Sequence, residues 1–183
     1  MASKDLPEQH MLEAELGGPM QFHGLIAPPL PAAPVRPRLA YRRHWKGGEQ
    51  EVHIHNPSEG VPHGSDALVL QALLMAPPAL THPYWVVLVR VEELDELIWK
   101  TERTNTLTLD DIVQAVTRLQ TTRFTLDAPG GSPGRQTFHL IDRLQIHSQS
   151  QKPGGEKFVR LFQVEFSPTT LTLEGLDASG IRA

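Results

Sequence analysis

The sequence predicts an α+β fold: a winged helix-turn-helix with an extra N-terminal β-hairpin. Three observations support this prediction. Two helical segments meet across a short polar turn, strand segments precede and follow this pair, and two extended runs around a Gly-Gly turn begin the folded part. The resulting order of helix, strand, helix, helix, strand, loop and strand is that of winged-helix domains.

Proline placement predicts where the folded domain begins and ends. Residues 28–37 contain five prolines, which lack an amide donor and restrict the residue before them. We therefore expect residues 1–37 to form a disordered, proline-rich tail, with a short helix of low stability over 8–16. Residues 38–168 are predicted to form the winged-helix domain, and residues 169–183 a C-terminal tail or truncated linker.

The first predicted elements are a hairpin and a buried helix. Leu39–Trp45 and Glu49–His55 are extended runs on either side of the glycine turn, so they form the N-terminal hairpin. The segment 67–75 is almost entirely apolar, which is typical of a helix buried on most of its surface. Ser65 is its predicted N-cap, and Pro77 ends it together with the proline that follows.

A strand and two helices form the predicted helix-turn-helix region. Residues 84–90 are apolar and β-branched, which indicates a buried strand, and residues 91–100 have helical spacing of apolar side chains. The second helix is predicted over 109–120, with Thr108 as its cap. Its buried stripe consists of Leu109, Ile112, Val113, Val116 and Leu119.

Three strands complete the predicted domain. They cover 123–126, 136–146 and 157–166, with an irregularity at Ile141–Arg143 in the longest. The Gly/Pro/Ser-rich loop 127–135 connects the first two. We therefore predict that this loop is the wing.

Composition excludes several classes of protein. The chain has no cysteine, which excludes disulfides and thiolate metal sites and is compatible with a reducing cytoplasm. No apolar run is long enough to span a bilayer, and no secretory signal is recognisable. The net charge is −4, but residues 36–160 carry 15 Lys and Arg against 14 Asp and Glu. The predicted domain is therefore nearly neutral, and DNA binding would depend on a local basic stripe.

Three motifs resemble one known family. The segment Glu59-Gly-Val-Pro-His-Gly-Ser-Asp66 leads into the apolar helix and is similar to the Val-Pro-His-Gly region of plasmid replication initiator A proteins of the Deinococcus type. The run Leu119–Phe124 resembles the family's turn after a helix, and Phe138–Leu144 resembles its Ile-Asp-Arg strand. The likeness extends from about Leu39 to Phe166.

The resemblance implies the first winged-helix domain of an origin-binding protein, without the second one that such initiators carry. The chain departs from the family at Arg103–Asp111, where the family has a Ser-Gly-Arg-Tyr-Tyr-like stretch. Asp110 and Asp111 would repel a phosphate backbone. This departure leaves a role without DNA contact open.

If the helix 109–120 reads DNA, its polar side and its neighbours are the candidate contacts. Gln114 is suited to adenine, and Arg118 to guanine or a phosphate. A second basic cluster lies on the hairpin, where exposed surface residues and phosphate contacts are equally good interpretations. The candidate DNA-binding residues are Arg103, Asn105, Thr106, Gln114, Thr117, Arg118, Thr121, Arg123, Arg135, Arg42, Arg43 and Lys46.

The sequence offers little support for catalysis or metal binding. His53 and His55 share a strand face, but no third or fourth ligand converges on them, so we expect no metal site. His63 is expected to cap or pack at a helix start. Adjacent carboxylates such as Glu92 and Glu93 do not share a helix face, and no nucleophile or phosphate-loop motif is present. We expect neither catalysis nor a cofactor.

The sequence therefore favours a DNA-binding protein related to plasmid replication initiators, acting in origin binding or replication control. Its expected partner is double-stranded DNA, with a homodimer or a heterodimer with a full-length initiator as further possibilities and no membrane. The expected location is the cytoplasm, associated with nucleoid or plasmid. The alternative is a winged helix for protein interaction, as a dimerisation module or a shortened antagonist of a full-length initiator.

Overall fold

The computed structural model describes residues 6–31, 35–79, 86–102, 107–128, 134–150 and 157–176, with the backbone alone for 149–150 and 157–160. The chain folds as two compact units. Unit 1 comprises Met1–Ala67 and Thr121–His139, and unit 2 comprises Leu68–Gln120 and Leu140–Ala183. The interval 38–168, predicted as one domain, therefore contributes to both units.

In chain order the elements are α1 (Gln9–Leu16), β1 (Arg38–Trp45), β2 (Gly48–His55), α2 (Asp66–Met75), β3 (Val86–Arg90), α3 (Val91–Thr101), α4 (Leu109–Thr121), β4 (Arg123–Asp127), β5 (Arg135–Phe138), β6 (Ile141–Ser150), β7 (Lys157–Phe166) and α5 (Pro168–Leu173). The α+β class is confirmed. None of the helices in the described residues is long and apolar enough to cross a membrane.

Unit 1 is built on a four-stranded antiparallel sheet in the order β1-β2-β4-β5. The predicted N-terminal hairpin is confirmed, with Trp45 opposite Gly48 across a two-residue loop. Lys46 and Gly47 in this loop both have positive φ, 47° and 81°, which matches the right-handed twist of the strands. Alternate side chains on one face are buried and form the core of the unit: Leu39, Tyr41, Val52, Ile54, Phe124, Leu126 and Phe138.

The N-terminal segment is folded in its described part, so the prediction of a disordered tail is wrong there. The short helix over 8–16 is confirmed as α1. Leu25, Ile26 and Ala27 are fully buried, and isolated bridges join Glu8 to Arg42 and Ala27 to His63. Proline excludes regular strands here, but single bridges and apolar burial hold the segment on the rest of unit 1.

The Val61-Pro62-His63-Gly64 motif is a structural junction. The Pro62 carbonyl accepts a hydrogen bond from the Ala27 amide at 2.9 Å, and the Gly64 amide donates to the Ala27 carbonyl at 3.0 Å. The His63 amide donates to Asp66 Oδ2 at 2.9 Å, so the Asp66 carboxylate is the capping group, and His63 Nδ1 lies 2.9 Å from the Val61 carbonyl oxygen, which places the His63 ring at the start of the helix as expected. Gly64 has a φ of +56° and lies against Pro29, where a side chain would be strained.

Unit 2 contains the winged helix. Its three-stranded antiparallel sheet has the order β3-β7-β6, so the sequence α2-β3-α3-α4-β6-β7 has the topology of a winged helix-turn-helix. The helix pair agrees with the predicted segments, with each helix one residue longer at its C-terminus. The fully buried large side chains of the unit include Leu70, Leu73, Leu94, Ile98, Ile112, Leu119 and Phe162.

The predicted wing is wrong. Residues 127–135 connect β4 and β5, which extend the sheet of the N-terminal hairpin and belong to unit 1. The predicted single strand over 136–146 is two strands, β5 and β6, in different sheets. The hairpin that occupies the wing position is β6–β7, whose connection lies outside the described residues. The predicted irregularity at Ile141–Arg143 is confirmed as a shift in the β6–β7 register.

Part of the predicted C-terminal tail is a helix. Ser167 caps α5 by accepting a hydrogen bond from the Thr170 amide at 3.1 Å. The Thr170 hydroxyl donates to the Leu140 carbonyl at 2.9 Å, and Leu171 is buried. These contacts attach α5 to the start of β6. The prediction of a tail is therefore wrong for residues 169–173.

Candidate nucleic-acid interface

The candidate recognition helix α4 begins at a defined N-cap. The Thr108 hydroxyl accepts a hydrogen bond from the Asp111 amide at 3.2 Å and donates to Asp111 Oδ2 at 2.6 Å. The Thr108 amide also donates to Asp111 Oδ2, at 2.8 Å. The predicted cap is therefore confirmed as a reciprocal one in which Asp111 takes the acidic position. These hydrogen bonds to the carboxylate, first that of the Thr108 side chain, lower the pKa of Asp111.

We expect Thr108→Ala to destabilise the protein by about 1 kcal/mol, because the first turn of α4 loses its side-chain cap. The pKa of Asp111 should rise toward its ordinary value when the hydroxyl is removed. A carboxyl with a lowered folded-state pKa stabilises the fold above its unfolded pKa, and this contribution disappears as the pH falls through the folded pKa. The difference between the two proteins should therefore shrink in acid. Urea unfolding at several pH values and an NMR titration of Asp111 measure both effects.

Four side chains form the outward stripe of α4. The helix buries Ile112, Ala115, Val116 and Leu119. At 100° per residue, the opposite side is centred on Asp110, Gln114, Thr117 and Thr121. We call these four the α4 polar stripe. Asp110, Gln114 and Thr121 are exposed and Thr117 is half-buried. The stripe offers amide, hydroxyl and carboxylate groups, which recognise base edges, and no basic side chain.

The remaining α4 residues have partners of their own. Arg118 lies at the flank of the stripe, is half-buried, and lowers the pKa of Asp111 electrostatically as a minor cause. The Thr117 hydroxyl donates to the Val113 carbonyl at 2.7 Å. Thr121 Oγ1 accepts a hydrogen bond from the Asn56 side chain at 3.0 Å. Gln114 is thus the predicted contact most available to a base.

Asp110 is the member of the stripe that the sequence prediction missed. It was treated there only as a source of repulsion. The i, i+4, i+7, i+11 spacing with Gln114, Thr117 and Thr121 was the available signal. A carboxylate at this place can accept a hydrogen bond from the amino group of cytosine.

Several predicted contacts lie elsewhere. Arg103, Asn105 and Thr106 lie outside the described residues. Arg123 is exposed on β4 and Arg135 on β5, both in unit 1. The Arg135 guanidinium forms an ion pair with Asp127 at 2.8 Å.

Strand alternation places Arg42 and Arg43, two of the three predicted basic contacts on the hairpin, on opposite faces of the sheet. Arg43 is buried, so the prediction that it contacts DNA is wrong. Its guanidinium donates to Gln50 Oε1 at 2.8 and 3.0 Å and to the His23 carbonyl, and it stacks on the Trp45 ring at 4.4 Å. Arg42 faces the opposite way and approaches Glu8 at 3.7 Å. Lys46 is exposed in the turn.

The first helix of the helix-turn-helix is acidic. Glu92, Glu93, Asp95 and Glu96 are exposed on α3, and only Lys100 on this helix is basic. In DNA complexes of this motif, the first helix crosses the phosphate backbone. The charge of α3 therefore disfavours close backbone contact by this helix. Trp99 on the same helix is 54% exposed.

No protein-family model and no curated protein matches the chain. Two solved structures of RctB, both covering its domains 2 and 3, are similar in fold, with TM-scores of 0.55 and 0.56 and sequence identities of 15% and 14%. The alignments cover 80% and 81% of this chain and 55% and 56% of the RctB chains. The chain thus spans about half the length of these structures. At this identity the likeness shows a shared fold.

Proposed function

We propose that this chain is a DNA-binding protein of the replication-initiator type, in which α4 contacts base edges in the major groove. The observation that carries the proposal is the winged helix of unit 2, with the α4 polar stripe directed away from the core. Helices in this topological position read the major groove in winged-helix proteins. The β6–β7 hairpin then acts as the wing.

The likeness to RctB supports the initiator part of the proposal, since RctB is a replication initiator and the fold is initiator-like. The three motifs that resemble those of plasmid initiator A proteins point in the same direction. We propose origin binding or replication control as the role, with double-stranded DNA as the partner. Pairing with a second copy or with a full-length initiator is part of the same proposal.

Gln114→Ala tests the assignment of α4 directly. We expect affinity for the preferred duplex to fall by about 5- to 100-fold, the range of a good base contact, while affinity for random duplex stays the same. The reason is that Gln114 is exposed on the stripe and neutral, so it reads bases without contributing to counterion release. DNA from the replicon that encodes the protein and a random duplex are compared in a salt titration.

The matched control is Gln71→Ala, which removes the same exposed side chain from α2. Its affinities should equal those of the unsubstituted protein. If Gln114→Ala preserves both affinities, α4 is not the reader. If the unsubstituted protein shows no salt-dependent duplex binding at all, the DNA-binding proposal is wrong.

The acidic helix α3 favours a second candidate function, a winged helix that binds protein instead of DNA. The four exposed carboxylates and the exposed Trp99 suit a basic protein surface better than a phosphate backbone. This candidate predicts no duplex binding at 50 mM salt. It also predicts that Trp99→Ala abolishes association with a copy of the chain or with a full-length initiator, measured by analytical ultracentrifugation.

A further inference from the structure

The four-stranded sheet of unit 1 has a polar face opposite to its buried one. Strand alternation directs Arg38 and Arg42 on β1, His53 and His55 on β2, and Arg123 on β4 to this side. We call it the outer face of the sheet. It also carries Glu51, Thr125, Asp127, Arg135 and Thr137.

Most charges on the outer face lie near an opposite charge. Arg42 lies 3.7 Å from Glu8, and Arg135 lies 2.8 Å from Asp127. His53 lies 3.6 Å from Glu51. Exposed pairs of this kind contribute little to stability, but they neutralise the middle and one end of the face.

The other end of the face carries a row of basic side chains. Arg38 is directly opposite His55, and His55 is directly opposite Arg123. Side chains in opposite positions of neighbouring strands have Cβ atoms about 5 Å apart, so the three groups span three strands side by side. We call them the cross-strand basic row. Arg38 and Arg123 are exposed, and His55 is half-buried.

The row has no counter-charge in the part of the chain that the structure describes. Neither the Arg38 nor the Arg123 side chain forms an ion pair or hydrogen bond there, in contrast to the other two arginines of this face. Cross-strand neighbours are ordinarily matched in charge, because opposite charges stabilise a sheet and like charges destabilise it. An unmatched basic row is therefore available to an anion from outside the chain.

We propose that the cross-strand basic row binds the phosphate backbone of duplex DNA, as a contact surface separate from α4. Two guanidinium groups donate fork-shaped pairs of hydrogen bonds to phosphate oxygens, and the imidazole between them adds a ring N–H donor. Contacts of this kind position a protein on DNA without reading its sequence. The inference rests on the proposed function and supplies the backbone contacts that the acidic α3 does not.

The test is the double variant Arg38→Gln/Arg123→Gln, compared with Arg42→Gln/Arg135→Gln on the same face. Both double variants remove two positive charges, but only the first removes the row. We expect the first to lower the slope of log affinity against log salt by about 1.8, or 0.9 per lost phosphate contact, equally for preferred and random duplex. The second should change the slope by less than half as much. Thermal unfolding confirms that both are folded.

Each result separates this inference from the proposed function. If duplex binding by the unsubstituted protein is salt-dependent but the first variant keeps its slope and affinity, the row is not a DNA surface, and the proposal for α4 is unaffected. If both double variants lose the same slope, overall charge and not the row is responsible, and the inference is wrong. If NMR shifts of the row with inorganic phosphate match those with duplex and the first variant binds duplex normally, the row is a site for free phosphate. If the unsubstituted protein does not bind duplex, both proposals fail.

Discussion

Replacing Arg43 with alanine is expected to lower the free energy of unfolding by about 3 kcal/mol. The substitution leaves the buried Gln50 carbonyl oxygen and the His23 carbonyl without their donors, and each such loss costs about 1–3 kcal/mol. It also removes the cation over the Trp45 ring. Because the His23 carbonyl belongs to the N-terminal segment, the variant should also weaken the attachment of that segment to the sheet. Urea unfolding gives the free energy, and hydrogen exchange of the Leu25 and Ala27 amides reports the weaker attachment.

The neighbouring Arg42→Ala is the control. It removes a partly exposed arginine with a 3.7 Å ion pair, so it should cost less than about 1 kcal/mol. Arg43→Lys should fall between the two, because an ammonium lacks the planar fork that serves two acceptors and stacks on the ring. A stable Arg43→Ala protein with reduced duplex affinity would contradict the structural role and restore the one predicted from sequence.

Replacing Leu119 with alanine is expected to cost about 3–4 kcal/mol. The side chain is fully buried on the inner side of α4, and its removal deletes apolar contacts and leaves a cavity. The α4 polar stripe is unchanged in this variant. Duplex affinity should therefore remain normal well below the midpoint of thermal unfolding and disappear with the fold above it. Chemical unfolding and duplex titrations at two temperatures measure the two properties.

Gln114→Ala should have the opposite effects on stability and on duplex affinity. It should change stability by less than about 0.5 kcal/mol, because the side chain is exposed, and it should reduce only preferred-duplex affinity. If Leu119→Ala costs less than about 1 kcal/mol, α4 is not packed as the structure shows. If both variants alter stability and affinity together, fold and recognition are not separable on this helix.

The two errors about the wing at 127–135 and the single strand over 136–146 have a common cause. The sequence reveals which segments are extended, but hydrogen bonding between strands joins residues far apart in the chain. Nothing local distinguishes β4 and β5, which share a sheet with β1 and β2, from β6 and β7, which share a sheet with β3. The loop 127–135 has the composition of a wing, and only the pairing of Phe124 with Phe138 and of Val52 with Leu126 assigns it to unit 1.

The strand alternation in the sequence indicated that Arg43 is buried, but its positive charge suggested a surface position. It follows Leu39 and Tyr41 with period two, so the alternation places it on the buried face. A guanidinium can be buried only where acceptors surround it. Those acceptors come from Gln50, on the neighbouring strand, and from His23, in a segment whose prolines predict disorder. The periodicity can be read from the sequence, whereas the hydrogen-bond acceptors of Arg43 are identified only by the folded structure.

By itself the sequence determined α1 to α4, the N-terminal hairpin, the Thr108 cap and the polar side of α4 apart from Asp110, because each depends on spacing within about a dozen neighbouring residues. The tertiary structure decided which strands share a sheet, which arginines are buried or paired, and that Arg38, His55 and Arg123 lie side by side. Those features depend on contacts between distant segments, whose partners are selected by the packing of the whole unit and leave no periodic trace in the chain.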